Sequence, residues 1–411
     1  MFKELKILKL SLFAVFLAII IWQVRESNKI SVFFTTDLSH SAGSEIEVFQ
    51  AGNFDSADGV FLLSNLEGDM VYKDVFDYID NCEKNTAGNE FSIANKNPVQ
   101  LPGSIMSGVY LMNNLYSLIV RGEKESDITI VYPYANNLIY QDAGNGTILS
   151  NKIMDFNLAS PVLVDEYTRG LMNLFTFCSN NYSVNYITDV ELENKDMYAS
   201  SKLLVIYGQT SFYSLLMKNN VIEFLKEGGN ILLISSSFST NAMWLDNNRV
   251  RFSAGDSSNN FKLNSWLGLN DDIRNKIGLS YQFGGKAKTV IGQSYKILNK
   301  KHKIFEGVEG CEVPLSAIRY IGAYSKWSEE ASTYIPKNHF YKSEILAFNE
   351  CKNGKLVDNI GGVYAIQPDS TSGIILSLGT EDWCLEKNQT NEVIFTISKN
   401  AIEFLVKKLS S

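Results

Sequence analysis

Histidine is scarce in this chain, with three in 411 residues: His40, His302 and His339. A metal centre built on imidazoles, or a serine–histidine–aspartate triad, would have to draw on these three. None stands at a junction between a strand-like run and a loop, so they read as solvated surface side chains. The five cysteines (Cys82, Cys178, Cys311, Cys351 and Cys384) are far apart and include no CxxC pair. That argues against a zinc site and a full disulfide framework and leaves at most one bridge open. Excess positive charge is missing too: 37 basic residues face 45 acidic ones, for a net charge of −8. With no basic stripe and no arginine–aromatic interleaving, nucleic acid is not an expected partner. No internal repeat or low-complexity tract interrupts the chain.

What is present is a globular composition, 45% hydrophobic and 20% charged, with 24 Phe and 20 Tyr to fill a core. The length allows two domains. Lys3, Lys6 and Lys9 precede an apolar run over residues 10–22, which residues 7, 8, 23 and 24 can extend towards the roughly 20 residues of a membrane span. No small-x-small cleavage site follows. Residues 1–28 therefore read as an uncleaved signal anchor, a single transmembrane helix. Its basic flank keeps the N-terminus cytoplasmic and places the rest outside the cytoplasmic membrane. Residues 29–122 show short β runs at 30–34, 45–49, 59–63 and 108–111, punctuated by Gly, Asn, Asp and Ser, and read as a small β-sandwich-like domain.

From residue 123 to 411 the pattern changes. Apolar strand runs at 128–132 and 203–207 lead into polar turns, amphipathic helical stretches cover 166–180 and 219–226, and Gly228-Gly229 precedes a third strand. The close is two more strands, a glycine loop and a helix over 392–409. Residues 250–345 read as an insertion. This is the grammar of an α/β domain with a mostly parallel sheet and flanking helices, whose ligands gather at the carboxyl ends of the strands. Cys178, between Phe175 and Phe177 on a helix, reads as core rather than as a nucleophile.

Several segments, in this order, resemble one enzyme family. Residues 46–52 (Ile-Glu-Val-Phe-Gln-Ala-Gly) stand where that family has I-x-V-Y-R-x-G, and residues 107–110 where it has S-G-x-Y. Pro133, Tyr140 and Gly144 match P-x-x-T-x-x-A-Y-N-x-x-G-G-x-S-L-Y. Residues 181–189 resemble G-Y-x-V-D-x-x-T-D, residues 379–383 the G-S-x-x-W loop, and residues 397–400 I-T-x-N. On these the region from about residue 45 to 409 resembles the C-terminal part of the N,N-dimethylformamidase large subunit. The resemblance implies a class I glutamine-amidotransferase-like α/β fold, an amidase activity, and iron held by tyrosine phenolates and a carboxylate. It also implies a small partner subunit, for which no contact surface is legible.

The chain departs from that family at G-H-D-E-Y-W-S, which here reads Gly208-Gln209-Thr210-Ser211-Phe212-Tyr213-Ser214. A base, a charge and a phenolate are lost there. Gln and Ser can hydrogen-bond a ligand but cannot take a proton near neutral pH. The candidate site is thus Tyr140, as phenolate metal ligand or substrate donor, with Gln209, Ser211 and Glu381; an acidic pair after a glycine, as at Glu381 and Asp382, is more often an N-cap or solvated turn. Two readings stay open. One is a membrane-anchored, metal-dependent hydrolase of C–N amide bonds. The other is a non-catalytic binding module for a cell-envelope or carbohydrate ligand.

Overall fold

The computed structural model describes residues 32–35, 37–51, 59–76, 93–147, 153–158, 160–236, 238–246, 249–253, 279–280, 286–291, 294–315, 317–320, 323–324, 341–349 and 361–407. The N-terminal strands are β1 (Val32–Thr35), β2 (His40–Ser41), β3 (Glu45–Ala51), β4 (Gly59–Ser64), β5 (Met70–Phe76), β6 (Ile93–Gln100), β7 (Gly108–Met112) and β8 (Tyr116–Arg121). They form a three-stranded sheet, β1-β3-β6, and a five-stranded sheet, β2-β8-β7-β4-β5. A core of Ile46, Val48, Phe61, Leu63, Val99 and Leu118 joins the two sheets.

The chain then enters β9 (Ile128–Tyr132), α1 (Tyr134–Thr147), β10 (Ile153–Asn157), α2 (Glu166–Gly170), α3 (Met172–Asn181), β11 (Val184–Thr188), β12 (Leu203–Tyr207), β13 (Thr210–Tyr213), α4 (Leu215–Lys226) and β14 (Asn230–Ile234). Strands β15 (Phe238–Asp246), β16 (Arg249–Ser253), β17 (Leu279–Ser280), β18 (Lys286–Ile291), β19 (Ser294–Ile297), β20 (Glu312–Pro314), β21 (Ala317–Tyr320), β22 (Ala323–Tyr324), β23 (Lys342–Asn349), β24 (Gly361–Gln367) and β25 (Ile375–Ser377) follow. The last elements are α5 (Glu386–Gln389) and α6 (Glu392–Lys407).

The largest sheet has 11 strands on the path β11-β9-β12-β14-β25-β24-β23-β19-β20, with β22 on β24 and β17 on β22. Its first five strands are parallel. Every residue of β9, β11, β12 and β14 is buried, as expected of apolar strands covered on both faces. From β25 onward the pairing is antiparallel. Two further sheets, β10-β16-β15-β13 and β18-β21, lie outside it.

The glutamine-amidotransferase-like α/β fold is therefore corrected. The chain is mainly β-structure in several sheets with few helices, and its parallel strands are one half of a mixed sheet. The physical reason is local. Among the described residues, the fully buried parallel strands of this sheet lie between residues 128 and 234 and at 375–377, whereas β24, β23, β19 and β20, which extend the same sheet, pair antiparallel.

The membrane expectations are corrected with it. Among the described residues no helix is long and apolar enough to cross a membrane. The single-pass localisation, the extracytoplasmic placement and the membrane as a partner have no support, and the anchor of residues 1–28 lies outside the described residues.

Helix α6 shows how sequence pattern becomes packing. Ile394, Ile397, Ser398, Ala401, Ile402, Leu405 and Val406 recur at three- and four-residue spacing and are all buried. Trp383 Nε1 donates to Ser398 Oγ at 2.9 Å, and Asn230 Nδ2 donates to the Leu405 carbonyl at 2.6 Å, tying the helix to the sheet. The helical stretch read at 166–180 is two helices, α2 and α3, which break at Leu171. At Gly170 a Cβ would lie 1.9 Å from the Cys384 carbonyl oxygen, so the chain there packs backbone on backbone.

Candidate functional site

Three turns meet at the carboxyl ends of β12, β14 and β25. Two of them open on glycines in the left-handed region, Gly208 at φ +74° and Gly379 at φ +75°. Gly208 N donates to the Ile234 carbonyl at 3.0 Å, which draws the first turn onto the end of β14. Thr210 Oγ1 donates to Ser235 Oγ at 3.0 Å. Ser236 N donates to Glu381 Oε2 at 2.9 Å, and Asp382 N donates to Thr380 Oγ1 at 3.1 Å. Gln209, Ser211 and Glu381 are thus brought to one end of the sheet.

Their environment is a packed interior. Ser211 and Glu381 are buried and Gln209 is half-buried. Residues 210–213 form strand β13, parallel to β15, where the sequence reads as an open turn. Burial pushes the Glu381 carboxyl up to about 7, the charge of Asp382 adding to the rise and the bonds from Ser236 opposing it. Asp382 and Trp383 are buried as well, so the acidic pair is not a solvated turn. Tyr295 stacks on Trp383 at 6.3 Å between ring centroids.

Tyr140 sits one helical turn after Asn136 on α1, and both meet Phe212. Asn136 Nδ2 donates to the Phe212 carbonyl at 3.0 Å, and Phe212 N donates to Asn136 Oδ1 at 2.9 Å. The Tyr140 ring packs edge-on against Phe212 at 5.9 Å, and Phe212 in turn meets Phe252 at 4.9 Å. Tyr140 is half-buried in this aromatic file. The described contacts of Tyr140 and Glu381 run to different partners.

The sequence reading passed over a further buried carboxylate. Asp189 follows β11 and accepts from Ala135 N at 2.9 Å, Asn136 N at 3.1 Å, Asn136 Nδ2 at 2.9 Å and Val190 N at 2.9 Å. It caps the start of α1. Burial pushes its carboxyl up to about 6 against the pull of those donors. An aspartate directly after an apolar strand was the available signal. His40 is another correction: it is buried, its Nε2 lies 3.1 Å from Thr35 Oγ1, and burial lowers it to about 4. His302 is half-buried against Phe404, and His339 lies outside the described residues. Cys178 is core, as its neighbours imply, and burial raises its thiol to about 12.

A ferric site needs several hard anionic donors in one place. Tyr140 is one phenol, but Phe212 stands where the resembled motif has another. Glu381 is committed to a backbone N–H and holds its proton close to neutral pH. Among the described residues no three His, Cys, Asp or Glu side chains gather as metal ligands. These residues do not fit the iron centre that the resemblance implies. The dimethylformamidase-like and hydrolase expectations thus find no support in the described residues.

No family model and no curated protein matches the chain. Among solved structures it is similar to the mmIFT52 N-terminal domain, at 11% identity and a TM-score of 0.38. The match covers 58% of this chain and 90% of that one. A likeness this loose constrains neither fold nor function.

Proposed function

We propose that the chain is a non-catalytic binding module whose strand-end turns are structural. The observation that carries this reading is the state of Glu381: buried, bonded to Ser236 N at 2.9 Å and flanked by a second buried acid. A general base or a metal ligand must face a reacting group, whereas this carboxyl closes a junction between two turns. Ser211 is buried in β13 beside Phe212, whose backbone Asn136 clamps from both sides. The hydrogen bonds of Thr210, Ser236 and Glu381 run within the protein.

The test loads full-length protein with ferric iron, removes loose metal and measures what remains by elemental mass spectrometry. Hydrolysis of dimethylformamide is followed in parallel by dimethylamine release. The expected result is iron far below one per chain, unchanged in Tyr140→Phe, and no amine above buffer. Near-stoichiometric iron lost in Tyr140→Phe, or turnover lost in Glu381→Gln, would overturn the reading.

A further inference from the structure

A groove of about 320 Å³ runs between the N-terminal sheets and helix α3. Its walls are the β4–β5 turn with Val71, the loop from Ser104 into β7, and the face of α3 that carries Met172, Phe175, Thr176 and Ser179. Its volume lies at the lower end of small-ligand sites, and such sites gather where sheets and helices of different layers join. Its polar groups differ from those of the strand-end cluster. Glu67 is the one carboxylate in the lining, and no basic side chain lines the groove. The Glu67 carboxylate accepts from Asn65 Nδ2 at 2.6 Å and Thr176 Oγ1 at 3.4 Å, both neutral donors. Among the described residues no lysine or arginine pairs with it.

Beside this charge the groove offers apolar surface at its mouth: Met106 is 71% exposed and Val71 37% exposed. Methionine adapts to varied partners, and an exposed aliphatic pair next to Glu67, with Asp69 sharing its Asn65 donor, complements a side chain with an aliphatic stem and a cationic head. Val71 belongs to β5, which among the described residues pairs with β4 alone, at the end of its sheet. An extended chain laid along that edge would reach the groove. The protein's own sequence following β5 is a poor occupant on charge. Residues 77–92 carry Asp77, Asp80, Glu83 and Glu90 against Lys84.

Resting on the binding-module reading above, we propose that this groove binds an extended peptide segment of a partner protein. That segment carries a lysine or arginine beside a leucine-like residue. The cationic head meets Glu67 and the apolar side chain covers Leu66, Val71 and Met106.

The test uses full-length protein and fluorescein-labelled pentapeptides with two leucines around a central lysine, norleucine or glutamate, read by fluorescence anisotropy. The lysine peptide should bind best, and added salt should weaken it. Glu67→Gln should weaken it about fivefold, the worth of about 1 kcal/mol for a partly exposed ion pair. Glu67→Lys should turn the preference to the glutamate peptide, and Ser104→Trp, which fills the groove from an exposed loop position, should abolish binding of all three. Equal binding of the norleucine and lysine peptides, binding that survives Ser104→Trp, or no binding of any peptide overturns the peptide proposal. The iron and hydrolysis measurements are unaffected by that outcome, so the binding-module reading stands or falls separately.

Discussion

The strand-end cluster and the α3 groove contain similar residues, namely serines, an aromatic file and a glutamate, and they use them in opposite ways. In the cluster, Glu381 is buried and receives a backbone N–H, Thr210 bonds Ser235, and Asn136 clamps Phe212. In the groove, Glu67 is exposed and, among the described residues, meets neutral donors at 2.6 and 3.4 Å. A charge that the fold neither buries nor neutralises is available to a partner, whereas one that holds two turns together is not. Composition at a loop cannot separate these cases. Burial and hydrogen-bond partners can.

The contrast breaks most severely at Asp189. If the carboxylates at this end of the sheet are structural, Asp189→Ala should cost about 3 to 4 kcal/mol, because three backbone N–H groups and one amide lose their acceptor in a buried place. Asp189→Asn, which keeps one acceptor oxygen, should cost less. Urea unfolding at neutral pH measures both. A change below 1 kcal/mol for the alanine variant would mean that the cap is dispensable.

Glu381 comes next, with about 2 kcal/mol expected for Glu381→Ala and less for Glu381→Gln. Its pH dependence has a definite sign. An unperturbed glutamate titrates near about 4.3, while the folded protein holds the Glu381 proton until about 7. Between these values the unfolded chain binds fewer protons than the native one, so stability falls as pH rises, and the loss is complete above the folded value. Asp189, pushed up to about 6, adds a fall in the same direction at lower pH. His40, held down at about 4 by burial, opposes this fall up to its ordinary value of about 6.5. Unfolding free energies should therefore slope downward most clearly between about pH 6.5 and 7 in the wild type and less so in Glu381→Gln. Parallel curves would remove Glu381 from the account.

These numbers also explain what the sequence could and could not say. The runs at 128–132, 203–207 and 230–234 are apolar but for Thr129 and Asn230, a pattern that belongs to strands buried on both faces, and they are parallel neighbours. Helix α6 was legible from the spacing of Ile394, Ile397, Ala401 and Leu405. The fold as a whole was not, because strand partners are set by contacts far along the chain. Nothing in residues 342–349 announces that β23 joins β24 antiparallel and extends the same sheet. The site suffered likewise. Residues 208–214 carry polar letters at a strand end and so read as an open ligand loop, yet residues 210–213 form β13 against β15 and are buried, leaving Gln209 half-buried. Glu67, in a turn between two short strands, carried no signal at all, since its interest lies in what surrounds it.

A smaller effect is expected at Gly208. A Cβ there would stand 3.7 Å from Pro133 Cγ and 3.8 Å from Tyr167 Cβ, ordinary contact distances. The cost of Gly208→Ala is therefore conformational, from φ +74°, and should be about 1 kcal/mol. A loss of several kcal/mol would point to a clash that these distances do not contain.

The smallest effect on stability belongs to the groove, which is what makes it the sharpest test of the comparison. Glu67 is exposed and its partners Asn65 and Thr176 can turn to water, so Glu67→Gln should change unfolding free energy by no more than about 0.5 kcal/mol. Ser104 lies exposed in the loop before β7, and Ser104→Trp adds its bulk on the solvent side of the groove, with the same small cost. If the two regions differ as argued, these substitutions leave the urea midpoint in place while altering peptide anisotropy, and substitutions at Asp189 or Glu381 do the reverse. A groove variant that unfolds the protein would show that Glu67 braces the β4–β5 turn against α3. The groove would then belong with the strand-end cluster, as polar surface already committed to the fold.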